Sequence, residues 1–279
     1  MSDERVAPEP GKRLFEQLFE GKSVEAIAAS ASEGIEAVMR NVERLLGDID
    51  YLVAGRRAAS ASFLLATADE EGAKIFILID ACRLDPIRHA SVLKGVCKAF
   101  YDHRVKYAYN AIRRYPPAFN GVATAWRFWT KRWWPESPDP ESGEPAMPHD
   151  TYFHREMPLY VDWDYYGKRW ILPDNTMDPM RFAGGTEPSR LDTLRADLKQ
   201  MKGATAGGLL SPSALLCVNE AWRNTYVNES TTPATLEKVQ QQLIADLVAR
   251  IGAPDETARR SPLLARPLYH FTTLTAERD

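Results

Sequence analysis

Cysteine is scarce in this chain. The three present in 279 residues, Cys82, Cys97 and Cys217, lie far apart and without metal-ligand spacing, which excludes a disulfide framework or a zinc module as the basis of the fold. Their apolar neighbours predict reduced core thiols and a cytoplasmic protein. No apolar run reaches the length of a bilayer span, and the start, MSDERVAPEPGKR, has no signal-peptide core, so no membrane association is expected. Histidine is nearly as rare, at five residues. His149 and His154 flank an acidic residue but lack the three or four ligands of a metal site, so neither a metal nor another cofactor is predicted. There is no internal repeat. The formal net charge of −3 excludes a molecule that binds nucleic acid through overall charge.

Acid is missing locally, however. From Arg83 to Trp134 there are eleven arginines and lysines against two acids, Asp85 and Asp102. Such a stretch in a net-acidic chain predicts a basic face for a polyanion, although a solvated surface is the plainer reading. Hydrophobic residues make up 44% and charged residues 26%, the composition of a globular domain with ample core.

The stretch that organises the chain runs from Arg56 to Cys82, RRAASASFLLATADEEGAKIFILIDAC. It is too long for a strand and contains no proline, and Asp69, Glu70, Glu71 and Lys74 stand in its middle. It reads as the central helix of a bundle, and charges there are costly unless paired or used. Before it, Ile35, Val38, Met39, Val42, Leu45, Leu46, Ile49 and Leu52 form a three-four stripe that predicts a helix over 32–53. Gly55 then permits an antiparallel hairpin.

Short helices are expected over 12–21 and 23–30, and a third long helix from Pro86 to about Arg114. Asp85 would cap the third, and Pro116-Pro117 would end it. The segment 122–134 interleaves Trp126, Phe128, Trp129, Trp133 and Trp134 with Arg127, Lys131 and Arg132. It suits base stacking or partner docking, or, more plainly, an amphipathic helix on the core. Residues 135–148 carry five prolines and read as a solvated loop. Short strands are expected at 157–163 and 168–172 around a turn near Tyr165–Gly167. Helices resume over 188–202, 212–227 and 233–251, with Thr232 as cap, Pro233 first and Gly252 last. The expected organisation is an N-terminal segment 1–31, a helical core 32–134, a Pro-rich loop and β-hairpin insertion 135–180, C-terminal helices 181–252 and a weakly patterned tail 253–279.

Three groups could carry chemistry. Glu70 and Lys74 are four apart and Glu71 and Lys74 three apart, the spacing of a helical ion pair, and among apolar neighbours also that of a pair facing a cleft or a second protomer. Asp102-His103-Arg104-Val105-Lys106 puts a histidine and cations in one turn, with His103 and Lys106 on one face. An imidazole moves protons near neutral pH and adjacent cations hold a phosphodiester. Taken alone, His103 reads more plainly as a surface histidine. Arg83 and His89, with five residues between them, span a helix start interrupted by Asp85-Pro86.

With these residues in view, the chain from about Val38 to Lys106 resembles the abortive-infection AbiV family of the HEPN superfamily. The features that carry the resemblance are NVERLLGDIDYLVAGRRAASASFLLATADEEGAKIFIL, DHRVK in the next helix, and LYVDW at 159–163. The family's Glu-Glu-x-Gly-Lys-like element falls on Glu70, Glu71 and Lys74, with Gly72 one place early, and its His-x-x-Lys on His103 and Lys106. The resemblance weakens after Pro173.

It implies a mainly α, HEPN-like antiparallel bundle, dimeric, in anti-phage defence, and a metal-independent ribonuclease. Many HEPN proteins carry an arginine, four to six residues, then a histidine; only Arg83 and His89 fit that here. The site it implies is Glu70, Glu71, Lys74, His103 and Lys106, and the basic stretch adds Lys98, Arg104, Arg113 and Arg114 as expected RNA contacts. The expected partners are RNA, a second copy of the chain and a phage-encoded activator. The competing expectation is a non-catalytic module that docks a phage or partner protein.

Overall fold

The computed structural model describes residues 10–103, 105, 106, 109, 110, 162–164, 169–171, 190–225, 227, 231–265 and 267. Among these the fold is mainly helical. Helix α1 spans Pro10–Leu18, α2 Val24–Ala54, α3 Ala58–Cys82 and α4 Ala90–Ala99. After the intervening chain come α5 Arg190–Ala206, α6 Pro212–Trp222, α7 Pro233–Asp246 and α8 Asp255–Arg259. No helix among the described residues is long and apolar enough to cross a membrane.

Helices α2 and α3 are the expected hairpin. The stripe from Ile35 to Ile49 is buried, and Leu52 packs against the core at its edge. A Cβ at Gly34 would come within 3.1 Å of Leu78, so the two helices cross closely there. The turn differs from expectation in one respect. Gly55 keeps a right-handed φ of −80°, and Arg56 takes the left-handed conformation at 56°. Arg57 N–H then closes on the Leu52 carbonyl at 2.8 Å, satisfying a helix-end acceptor.

Two expected boundaries are corrected. The helices expected over 23–30 and 32–53 are one helix, α2. Ser23 caps it by accepting the Ala26 N–H, and nothing interrupts the turn at Ala31-Ser32, where Ser32 sends its hydroxyl to the Leu210 carbonyl at 2.8 Å. The third helix is not continuous. Asp85 does cap, accepting the N–H groups of Ile87 and Arg88, but a turn follows and α4 begins only at Ala90. α4 ends at Ala99, and Asp102 starts a new helical segment by accepting the Val105 N–H on its side chain and the Lys106 N–H on its carbonyl. His103, Val105, Lys106, Tyr109 and Asn110 are helical in that segment. An aspartate at a cap competes with helix continuation, which is why the chain breaks there.

Helix α1 lies on α4, where Gly11 allows close approach to Lys98 and the Lys94 ammonium sits 5.1 Å from the Phe15 ring centroid. Helices α5 to α7 complete the core with Leu194, Met201, Leu215, Trp222 and Leu243. Thr232 caps α7 as expected, a π-helical turn Leu247–Ile251 extends it, and Gly252 closes it in the left-handed region. The tail expected to be weakly patterned contains α8 and a 3₁₀ turn, Pro262–Leu264, whose Leu263 is fully buried.

Two three-residue strands, Asp162–Asp164 and Arg169–Ile171, pair antiparallel with Trp163 opposite Trp170. A ladder this short is below what a β-unit needs, so the fold is mainly helical and the expected β-hairpin insertion is not supported as an element of it. The turn at 165–167, the aromatic segment 122–134, the Pro-rich loop, His149 and His154 lie outside the described residues.

Candidate active site

Three carboxylates are buried on α3. Asp69, Glu70 and Asp80 are each 1–3% exposed. A carboxylate there must be paired, and each has a partner from another part of the chain or from the helix end.

Glu70 is gripped by the segment that Asp102 starts. His103 meets the Glu70 carboxylate through Nδ1, and Lys106 Nζ lies 3.0 Å from the same oxygen. His103 is at the start of the segment and Lys106 one turn on, so the three-residue spacing brings both onto one carboxylate. The two partners differ in access. The Lys106 side chain is 6% exposed, that of His103 45%. With Nδ1 on Glu70, the Nδ1–H tautomer is favoured and proton exchange with a ligand falls to Nε2.

Glu71 and Lys74 form a second pair, 2.5 Å apart, each less than a fifth exposed. Asn41 of α2 donates to the other Glu71 oxygen at 3.1 Å, and the Lys74 ammonium lies 4.8 Å from the Phe100 ring centroid. Of the two spacings open in the sequence, the structure therefore pairs Lys74 with Glu71 and leaves Glu70 to His103 and Lys106. Neither pair waits for a second protomer. Helix α5 runs beside Gly72, where a Cβ would stand in ordinary contact with Leu194 at 3.8 Å.

Asp69 meets Arg190 Nε, and Asn110, on the His103 segment, donates to the Asp69 carbonyl at 2.7 Å. Neither Arg190 nor Asn110 stood out in the sequence. Arg190 opens a helical pattern after a long irregular stretch, and no local spacing ties it to position 69.

Arg83 and His89 do not form a pair resembling the first cluster. Arg83 is 2% exposed and bonds Asp80, the Leu263 carbonyl at 2.8 Å and the Ala265 carbonyl at 2.6 Å. Tyr109 donates to the second Asp80 oxygen at 2.9 Å, and the guanidinium lies 5.3 Å from the Trp222 ring. Asn219 bonds the Cys82 and Leu84 carbonyls, satisfying the end of α3. His89 accepts the Asp85 N–H on Nδ1, and burial holds its pKa below the usual histidine range. The backbone N–H of Arg88 holds the Asp85 carboxyl below its usual range as well.

Of the expected RNA-binding residues, Lys98 lies on α4 against α1, and Arg104, Arg113 and Arg114 lie outside the described residues. The three cysteines are buried and free, and burial pushes the Cys82 and Cys97 thiols up to about 12. Among the described residues no three His, Cys, Asp or Glu side chains are grouped to hold a metal ion.

No curated protein and no solved structure matches the chain. The family model for AbiV, HEPN_AbiV, matches residues 30–180, more than half of the chain and the span that holds α3 and both carboxylate partners, His103 and Lys106. The chain belongs to the AbiV family of HEPN proteins.

Proposed function

We propose that the protein is an anti-phage abortive-infection endoribonuclease that cleaves RNA by metal-independent acid–base chemistry at Glu70, His103 and Lys106. The observation that carries the reading is a buried carboxylate holding Nδ1 of a histidine whose ring reaches solvent. That is the arrangement by which a carboxylate orients an imidazole for proton transfer. His103 Nε2 takes the ribose 2′-hydroxyl proton, the 2′-oxygen attacks phosphorus, and the bond to O5′ breaks. The products are a 2′,3′-cyclic phosphate and a 5′-hydroxyl, whose proton comes from water. Lys106, 3.0 Å from the same Glu70 oxygen, holds that carboxylate in place under His103, which makes it a positioning residue. Glu71 and Lys74 brace the neighbouring turn against α2. The basic stretch, with Arg104, Arg113, Arg114 and Lys98, supplies attraction for the polyanion. Family membership supports the defence role. On this reading the protein is a homodimer in the cytoplasm whose activity is released by a phage-encoded protein.

The test is purified protein with RNA in EDTA. Cleavage by the wild type and its loss in His103→Ala is the expected result. RNA left intact by the wild type under every activating condition overturns the reading.

A second reading is favoured by one observation: both lysines of the element are tied to carboxylates, as in a structural ion-pair network. The protein is then a docking module. In that case His103→Ala leaves phage protection intact, while truncating Trp133 and Trp134 abolishes it.

A further inference from the structure

We infer that Arg190 holds the phosphate of bound RNA beside the Glu70–His103 site. The inference rests on the nuclease reading and names a residue that reading leaves unassigned. A site that cleaves a phosphodiester needs a cation with donors to spare. Along the Asp69–Lys74 stretch of α3, the described cations are Lys106, Lys74 and Arg190. Lys106 is 6% exposed and lies against Glu70, and Lys74 is 17% exposed, bound to Glu71 and stacked on Phe100. Arg190 is 29% exposed and commits Nε to Asp69. A guanidinium carries five N–H donors in a planar fork that suits phosphate oxygens, so a bond at Nε leaves the two terminal nitrogens with donors for an anion.

The placement ties Arg190 to the site. Asp69 directly precedes Glu70 in α3, and the Asp69 carbonyl accepts Asn110 from the segment that carries His103. One α3 residue is thus held on its side chain by α5 and on its backbone by the His103 segment. Leu194, one turn after Arg190, is buried beside Gly72, so α5 runs along this turn of α3. Arg190 stands beyond the residues matched by the family, so this cation is a feature of the chain's own C-terminal helices.

The experiment separates holding phosphate from neutralising Asp69. Binding of a labelled 2′-O-methyl oligoribonucleotide, which has no free 2′-hydroxyl to react, is measured against salt for the wild type, Arg190→Gln, Asp69→Asn and the double variant. Thermal melts run beside it. Arg190→Gln is expected to weaken binding about tenfold or more and to lower the salt slope by about one. The double variant is expected to regain the melting temperature, because the buried charge that Arg190 offsets is gone, while its binding stays weak. Wild-type binding by the double variant overturns the inference.

If the glutamine variants do not fold, Arg190→Lys decides. Weaker binding at an unchanged melting temperature supports the guanidinium fork, and equal binding overturns it. Cleavage of unmodified RNA in EDTA keeps the two ideas apart. A wild type that cleaves, with Arg190→Gln binding normally, removes the inference alone. A wild type that neither binds nor cleaves removes the nuclease reading and the inference with it.

Discussion

Helix α3 carries two ionic clusters built from similar parts. At Glu70 a buried carboxylate meets a histidine and a lysine. At Asp80, nearly three turns on, a buried carboxylate meets an arginine and a tyrosine. Glu70 draws both of these partners, and Asp80 draws Tyr109, from the segment after Asp102. The clusters differ in who closes them. Asp80 and Arg83 are each 2% exposed, sealed by Trp222 and by carbonyls of Leu263 and Ala265 from the far end of the chain. The Glu70 cluster keeps one member, His103, nearly half in solvent. Reactive-looking residue types are therefore common to both clusters, and access separates them. A sealed guanidinium bound to two carbonyls is a structural rivet, whereas a half-exposed imidazole on a fixed carboxylate is equipped to exchange protons with a ligand.

The sharpest way to break this contrast is at Arg83. Arg83→Met leaves Asp80 buried without its cation and strands two carbonyls, so unfolding free energy should fall by about 3–5 kcal/mol. Denaturant unfolding measures it, and pairing the change with Asp80→Asn should recover much of the loss. A cost under about 1 kcal/mol would mean the cluster is not the rivet described.

At the open cluster the effects should fall on activity. His103→Ala is expected to lower RNA cleavage by about 10²–10⁴-fold while the melting temperature moves little, since Lys106 still compensates Glu70. A large loss of stability with unchanged cleavage would reverse the assignment of the two clusters.

Gly72 sharpens the comparison from its flank. Among the described residues a Cβ there meets Leu194 alone, at 3.8 Å, which is ordinary contact. Gly72→Ala should therefore stabilise the fold by about 0.5–1 kcal/mol through helix propensity and leave cleavage unchanged. Destabilisation would show that α5 needs the glycine.

The smallest effect belongs to His89. Burial lowers its pKa in the fold, so the folded state favours the neutral ring. As pH falls through the ordinary histidine value, near ~6.5, the unfolded chain takes up the proton first and stability drops. Above that value the His89 contribution is constant. Asp85, also held low, adds loss at more acidic pH. His89→Asn should flatten the acid-side decline in melting temperature just below ~6.5, and an identical profile would show that this ring does not titrate with folding.

Particular elements show how far local signals reach. The α2–α3 hairpin was legible because a three-four stripe and a break at Gly55 are written in consecutive residues. The caps at Thr232 and Gly252 were legible for the same reason. The break of the third helix at Asp102 was not, since aspartate sits inside helices often enough that only the side-chain bond it accepts from the Val105 N–H marks the new start. The order of the tail has one local sign, the start signal Ser261-Pro262, where Ser261 accepts the Leu263 N–H. Within the site, helical spacing narrowed the partners of Lys74 to Glu70 or Glu71, and packing against Asn41 and Phe100 accompanies the choice of Glu71.

Sequence by itself determined that this chain makes long amphipathic helices, that one of them carries acids in an apolar setting, and that a histidine and a lysine share a face one helical turn apart. Those properties follow from backbone periodicity and from the cost of burying charge, which act over a few residues. Only the tertiary structure decided which carboxylate each cation meets, that Arg83 is sealed by carbonyls 180 and 182 residues away, and that His103 stays open to solvent. Burial and pairing are properties of surfaces brought together by folding, and no local pattern records them.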